Sequence, residues 1–175
     1  MGFPMMRVTS ARIVMLSALV VCLLAPAVAS AQALVFVVRH AERADGGSMS
    51  AGAQQDPKLS PAGERRAQAL AVVLGAAGIK GIYATEFHRT QDTAQPLATA
   101  LRVPVNAVPA SDTRALLQRI KADHAADIVL IVAHSNTMPE IITGLGGPAV
   151  KVGDDEYGDV FVVVPGTGVI TRLKF

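Results

Sequence analysis

The stretch LVFVVRHAER, residues 34–43, contains the strongest fold signal in this chain. Its first five residues are apolar and rich in β-branched side chains, which is typical of a strand buried on both faces of a sheet. The apolar run ends abruptly at Arg39 and His40. This pattern predicts a helix-covered sheet in which the first strand ends directly in polar side chains.

Strand and helix patterns alternate after this stretch. Residues 44–57 form a predicted loop, and Ser60 and Pro61 are a cap and a first-turn residue that open a helix. Further strands are predicted at 79–84, 103–108 and 127–133, and further helices at 88–101, 112–124 and 139–145. Two final strands, 160–164 and 169–173, flank a Pro-Gly-Thr-Gly turn. The order predicts an α/β fold, a three-layer α/β/α sandwich with a mainly parallel sheet and a C-terminal antiparallel hairpin at its edge.

Residues 1–33 have the composition of a secretory signal peptide, which leaves 34–175 as the single predicted domain. Arg7 and Arg12 precede an apolar run, and small residues at 29–33 fit the cleavage rule at two positions. The apolar run is short for a membrane span, which needs about 20 residues. We therefore expect a periplasmic or secreted protein that contacts the membrane only through an uncleaved signal segment, although a retained anchor is the alternative.

The charge balance of the predicted domain is neutral. The chain has 16 Lys plus Arg and 14 Asp plus Glu, and removal of Arg7 and Arg12 leaves equal numbers. A neutral domain has no general attraction to nucleic acid, so no nucleic-acid partner is expected. Cys22, the only cysteine, lies in the predicted signal, so the domain cannot form a disulfide.

Polar side chains gather where three predicted elements end or begin. Arg39 and His40 end the first strand, Arg89 begins a helix after the second, and His134 ends a later one. Ligands of open α/β sheets bind outside the carboxyl ends of the strands, so these side chains could share one crevice. Guanidinium groups match phosphate oxygens in geometry, and a neutral imidazole is a nucleophile. The cluster therefore suits a reactive tetrahedral anion.

Four motifs occur in order along the chain: RHAER at 39–43, LSPAG at 59–63, TEFHRTQDTA at 85–94 and HSN at 134–136. Together they resemble the histidine phosphatase superfamily, which includes phosphoglycerate mutases and histidine acid phosphatases. The resemblance covers roughly residues 35–147. It implies phosphate transfer through a covalent histidine intermediate, with no metal and no other cofactor.

The resemblance also implies roles for individual residues. His40 resembles the nucleophile that becomes phosphohistidine, and His134 resembles the second histidine of the catalytic pair. Arg39, Arg89 and His134 resemble the groups that hold the phosphoryl oxygens. Arg43 matches a second arginine of acid-phosphatase members; pairing with nearby carboxylates in a solvated loop is its alternative role.

The family further uses a carboxylic acid that protonates the leaving group and then activates water. Asp112 lies where small members often place this acid, although a helix cap is its alternative role. Four other carboxylates compete for the assignment: Glu42, Glu86, Asp92 and Glu140. The acid-phosphatase branch has Asp directly after its second histidine, where this chain has Ser135, so the acid stays open.

The expected function is that of an exported phosphatase acting on a phosphomonoester or phosphohistidine, in a small phosphorylated substrate or a phosphoprotein. One alternative is a catalytically weak phosphate-binding module of the cell envelope, which keeps the cations but lacks an effective acid. Another is an envelope interaction protein without oxyanion affinity. Specificity would come from the loop 44–57 and from residues 148–158, which contain Asp154, Asp155, Glu156 and Tyr157.

Overall fold

The computed structural model describes residues 33–46 and 56–175. The predicted signal segment, apart from Ala33, and most of the loop 44–57 lie outside the described residues. Strands and helices alternate through the described part until two consecutive strands close it. They are β1 (Leu34–Arg39), α1 (Pro61–Leu74), β2 (Ile79–Thr85), α2 (His88–Leu101), β3 (Val105–Val108), α3 (Thr113–Asp123), β4 (Ile128–Ala133), α4 (Met138–Gly144), β5 (Asp159–Val164) and β6 (Val169–Lys174).

The strands form one mixed sheet in the order β3-β2-β4-β1-β5-β6. The four strands β1 to β4 run parallel, whereas β5 is antiparallel to β1 and β6 is antiparallel to β5. The predicted mainly parallel sheet with an antiparallel hairpin at its edge is therefore confirmed. Gly166 and Gly168 have φ of 75° and 74°, a left-handed conformation that glycine adopts without steric cost and that the hairpin turn requires.

Each face of the sheet has its own apolar core, which gives the predicted three layers. Alternate residues of a strand point to opposite faces, so Val37 and Ile131 contribute to one core and Val38 and Leu130 to the other. Helices α3 and α4 cover the first face, and α1 and α2 cover the second. Because both faces are buried, the strands lack the polar alternation of a half-exposed sheet.

Local sequence signals fix the element ends. The Ser60 hydroxyl accepts a hydrogen bond from the amide of Gly63 at 3.1 Å, and Pro61 begins α1, as predicted. Strand β3 begins at Val105, two residues later than predicted, since Pro104 has no amide hydrogen for the ladder. Within the described ranges, no helix combines the length and apolar character needed to cross a membrane.

Candidate active site

His40 and His134 lie side by side at the carboxyl edge of the sheet. Adjacent parallel strands β1 and β4 pair Arg39 with Ala133, so the next residue of each chain segment is a histidine. The two ring centroids are 5.3 Å apart, and the His40 amide donates to the Ala133 carbonyl at 2.9 Å. The structure thus brings together the two imidazoles that the sequence separates by most of the domain.

A backbone carbonyl fixes the tautomer of His40. Its Nδ1 lies 2.8 Å from the oxygen of Ala41, and a carbonyl oxygen can only accept, so Nδ1 carries the hydrogen in the neutral ring. Nε2 is then the atom with a free lone pair. The residue is 4% exposed, so the ring is held by its surroundings in one orientation.

Thr93 couples the nucleophile segment to helix α2. The Ala41 amide donates to the Thr93 hydroxyl oxygen at 2.9 Å, and that hydroxyl donates to the Arg89 carbonyl at 2.6 Å. One buried side chain therefore joins the residue after His40 to the residue that carries a candidate phosphate-binding guanidinium. The TEFHRTQDTA motif supplies both the arginine and the threonine.

The LSPAG motif packs α1 against the same segment. The Ser60 amide donates to the carbonyl of Glu42 at 2.9 Å. A Cβ at Gly63 would collide with that carbonyl, so glycine permits the close approach of the helix. The helix start thereby supports the chain two residues after the nucleophile.

A chain of hydroxyl groups orients His134. Thr90 Oγ1 lies 2.8 Å from the Phe87 carbonyl and 3.1 Å from the Thr85 carbonyl; since neither oxygen can donate, we infer that the one hydroxyl hydrogen of Thr90 goes to the backbone. Thr85 Oγ1, 2.8 Å from Thr90 Oγ1, therefore donates to it, and Thr85 accepts from His134 Nε2 at 3.0 Å. The neutral His134 ring consequently carries its hydrogen on Nε2 and leaves Nδ1 for a ligand.

Three guanidinium groups surround the histidine pair in one cleft. Arg39, Arg43 and Arg89 line it together with His40 and His134, so every predicted phosphate-binding residue lies there. Side chains of the surrounding loops pair two of these cations: Arg43 with Asp45, and Arg89 with Asp56 at 3.5 Å. Arg89 also stacks on the Phe87 ring, with Cζ 4.2 Å from the centroid.

Arg39 anchors the segment 153–157 to the cleft. Its guanidinium donates to the carbonyls of Gly153 and Glu156 at 3.0 and 3.3 Å and to the Tyr157 hydroxyl at 3.3 Å. The same group lies 4.1 Å from the centroid of the Tyr157 ring. Arg39 therefore fixes one wall of the cleft as well as adding charge to it.

Burial keeps both histidines neutral. Desolvation lowers the pKa of His40 to about 4. The hydrogen bond to Ala41 opposes this decrease, and the positive charges of the nearby arginines add to it. Desolvation, together with His40 and the arginines, lowers the pKa of His134 to about 3. At neutral pH the cleft therefore contains guanidinium cations beside uncharged imidazoles, and His40 Nε2 retains its lone pair.

The cleft has a volume of about 580 Å³, which lies within the usual range for small-molecule sites. It exceeds the size of a phosphate group and leaves room for an organic part of the ligand. Besides the five predicted residues, its walls contain Phe87, Ala110, Ser111, Ser135, Asn136, Thr137 and Asp154. Across residues 33–46 and 56–175, no group of three or more His, Cys, Asp or Glu could hold a metal ion.

The structure does not bring Asp112 into this group. Its carboxylate accepts a hydrogen bond from the Ala115 amide at 2.9 Å and caps α3, the alternative role that the sequence left open. Glu42 is held by Arg66, and Glu86 accepts from the Ala110 amide at 2.7 Å. None of these three side chains lines the cleft, and neither do the other sequence candidates, Asp92 and Glu140.

The sequence did not predict that Asp154 lines the cleft or that buried threonines contact His134. Asp154 was predicted only as one of the acidic residues of a specificity segment, because no local pattern indicates that its side chain contacts Ser135. Thr85 and Thr90 belong to the TEFHRTQDTA motif, but the hydrogen bonds that link them to His134 depend on the strand order. Spacing within the motif gives no sign of a contact with a residue almost 50 positions away.

A sequence model described as the histidine phosphatase superfamily (branch 1) matches residues 35–112. This range contains His40 and all three cleft arginines. Among curated proteins, none matches the chain in sequence.

Solved structures share the fold at low sequence identity. A putative α-ribazole-5′-P phosphatase from Escherichia coli superposes with a TM-score of 0.64 at 16% identity, covering 81% of this chain and 95% of that one. A mycobacterial glucosyl-3-phosphoglycerate phosphatase complexed with VO3 gives 0.63 at 18% identity, covering 81% and 98%. The protein histidine phosphatase SixA complexed with tungstate gives 0.61 at 16% identity, covering 80% and 94%.

Proposed function

We propose that this chain is an exported phosphatase of the histidine phosphatase superfamily that hydrolyses a phosphomonoester or phosphohistidine through a covalent intermediate on His40. One observation carries the proposal. The Ala41 carbonyl holds Nδ1 of His40, which leaves an unprotonated Nε2 in a cleft lined by three guanidinium groups and a second imidazole. A fixed neutral nucleophile beside several oxyanion donors is the arrangement that phosphoryl transfer requires.

In the first step, Nε2 of His40 attacks phosphorus, and the bond from phosphorus to the leaving group breaks. The phosphoryl oxygens carry spread charge in the loose transition state, and Arg39, Arg43 and Arg89 can stabilise that charge. The phosphorylated ring keeps its hydrogen on Nδ1 and gains positive character. The Ala41 oxygen, 2.8 Å away, stabilises this hydrogen more strongly than in the neutral ring.

In the second step, water attacks phosphorus from the side that the leaving group vacated, and the phosphorus–nitrogen bond breaks. Inorganic phosphate leaves, and His40 returns to its neutral state. The Thr93 link between the Ala41 amide and the Arg89 carbonyl keeps nucleophile and guanidinium in the same relative position through both steps. Preserving that geometry contributes to catalysis because it removes the entropy cost of alignment.

The names of the structural neighbours support both substrate types. One is a phosphatase of a glucosyl-3-phosphoglycerate, a phosphomonoester, and another is a protein histidine phosphatase. The volume of about 580 Å³ accommodates a phosphorylated small molecule or a phosphorylated side chain. Both substrates present the same phosphoryl group to the arginines.

Hydrolysis of a chromogenic phosphate ester tests this function. We expect turnover by the wild type that His40→Ala abolishes, since removal of the nucleophile eliminates the covalent route. His88→Ala is the matched control because its ring is exposed, 64% by side chain, and does not line the cleft. Tight vanadate binding without turnover would favour the phosphate-binding module instead. The absence of both vanadate binding and turnover would refute both hypotheses.

Export rests on the signal composition of residues 1–33. Strand β1 begins at Leu34, so cleavage after Ala31 or Ala33 would leave the whole sheet in the mature protein. We expect the amino-terminal sequence of the mature protein, read after expression in a bacterium with a periplasm, to begin at Gln32 or Leu34. A full-length chain retained in the cytoplasmic fraction would refute export without affecting the phosphatase assignment.

A further inference from the structure

One Asp or Glu side chain of the described residues lines the cleft. Residues 1–32 and 47–55, which the structure does not describe, contain no Asp or Glu, so all 14 side-chain carboxylates belong to described residues. Of these, Asp154 alone lines the cleft that holds His40 and the three arginines. Asp45 and Asp56 pair with cleft arginines, so among the described residues Asp154 is the carboxylate that faces the cleft without such a cation partner.

The Asp154 side chain is held next to the second histidine. Its Oδ1 accepts a hydrogen bond from the Ser135 hydroxyl at 2.6 Å, and Ser135 directly follows His134. Arg39 anchors the surrounding segment through the carbonyls of Gly153 and Glu156. The carboxyl group thus has a defined place in the segment that Arg39 anchors at the end of β1, although it lies in a loop.

The direction of attack places the leaving group near Asp154. Both residues line the cleft, but His40 is only 4% exposed whereas Asp154 is exposed, so we place His40 at the floor and Asp154 at the mouth. Nucleophile and leaving group are roughly in line across the phosphorus atom. A phosphoryl group attacked from the floor therefore directs its leaving oxygen toward the mouth, where Asp154 is the available carboxyl group.

We propose that Asp154, positioned by Ser135, is the acid that protonates the leaving group; this inference rests on the proposed function. In the first step, protonated Asp154 gives its hydrogen to the leaving oxygen as the phosphorus–oxygen bond breaks and the bond from phosphorus to His40 Nε2 forms. In the second step, the carboxylate takes a proton from water as water attacks phosphorus and the bond to Nε2 breaks. Phosphate, neutral His40 and protonated Asp154 result.

The Ser135 contact leaves one carboxyl oxygen for this chemistry. Oδ1 accepts from Ser135, while Oδ2 has no hydrogen bond to any residue that the structure describes. The pair also accounts for the serine that follows the second histidine. The carboxyl group comes from a distant loop, and Ser135 holds it beside His134.

Dependence of the rate on the leaving group tests the proposal. For Asp154→Asn we expect kcat with an alkyl phosphate to fall at least about 100-fold, since general acids typically contribute 10²–10⁴-fold. With 2,4-dinitrophenyl phosphate, whose anion leaves without a proton, we expect a change in the rate of phosphoenzyme formation of less than about 3-fold. A plot of log kcat/KM, which reports phosphoenzyme formation, against leaving-group pKa should therefore be steeper for the variant than for the wild type.

Asp155→Asn is the matched control because it removes the same charge from the neighbouring exposed residue, which does not line the cleft. Its plot should match that of the wild type. Ser135→Ala should show the same leaving-group pattern as Asp154→Asn but with a smaller loss.

Equal losses of kcat/KM for all leaving groups in Asp154→Asn would overturn the proposal and leave a positioning role only. A lower KM with faster turnover of every ester would also overturn it, because Asp154 would then act by charge repulsion. Failure of the proposed function looks different. In that case the wild type itself would neither turn over any ester nor form a phosphoenzyme, whereas failure of this inference leaves both intact.

Discussion

Replacing Thr85 with valine tests how the second histidine is set for its role. Valine keeps the branched shape of threonine and removes the oxygen that accepts from His134 Nε2 at 3.0 Å. Thr85 and Thr90 are 6% and 0% exposed, so water cannot take the place of the missing oxygen. A buried donor without a partner costs about 1–3 kcal/mol, and we expect Thr85→Val to lower the free energy of unfolding by that amount.

The ring can relieve part of this cost by moving its hydrogen from Nε2 to Nδ1. In the wild type, Nδ1 lacks a hydrogen and must gain one before it can donate to an oxyanion. Binding of tungstate, which stays a dianion near neutral pH, should therefore be linked to proton uptake by the wild type and to less uptake by Thr85→Val. Calorimetric titration in buffers of different ionisation enthalpy counts these protons.

Urea unfolding and two-dimensional ¹H–¹⁵N spectra of the imidazole rings complete the assay. The spectra should show a protonated Nε2 on His134 in the wild type and a shift toward Nδ1 in the variant. Thr171→Val is the control because Thr171 is an exposed strand residue, so the same chemical change should alter none of these quantities. Protonated Nδ1 already present in the wild type, or unchanged stability of Thr85→Val, would refute the hydroxyl-chain account.

Two other predictions concern the cations and the histidines. Arg89→Ala should raise KM and lower kcat, with kcat/KM falling by about 10²-fold or more, because charge on the phosphoryl oxygens redistributes in the transition state; an unchanged kcat/KM in steady-state assays would remove Arg89 from the site. In the unfolded chain His40 binds a proton below about pH 6.5, whereas in the folded protein it does so only near pH 4. The contribution of the neutral His40 ring to stability is therefore complete above pH 6.5 and is lost as the pH falls toward 4. Between pH 7 and pH 4, urea unfolding should show that the free energy of unfolding falls by about 3 kcal/mol more for the wild type than for His40→Gln. Equal decreases would contradict the low pKa of His40.

Much of the fold was predictable because local sequence and tertiary burial agree. The apolar stretch before Arg39 is a strand in the interior of the sheet, and the Ser60-Pro61 pair begins a helix as its capping chemistry requires. The convergence of His40 and His134 also followed from the sequence, since parallel strands end at one edge. These features depend on periodicity, caps and strand direction, which residues close together in the sequence determine.

The carboxylate that lines the cleft was not predictable, and the reason is physical. Asp112 has the sequence context of both a helix cap and a candidate acid. In the structure its carboxylate accepts a hydrogen bond from the Ala115 amide in the following helix. Asp154 reaches the cleft because Arg39 holds the carbonyls of its loop and Ser135 holds its oxygen. Both contacts join residues from different strand ends, so they depend on tertiary geometry that no local pattern contains.

Phosphorylation of His40 during turnover is tested by direct detection of the phosphorylated ring. The enzyme would be mixed rapidly with a ³²P-labelled phosphate ester, quenched in alkali because phosphohistidine is acid-labile, digested and sequenced by mass spectrometry. We predict label on His40 that disappears on acid treatment and is absent from His40→Ala. Acid-stable label on a serine, or turnover that persists in His40→Ala, would contradict the account.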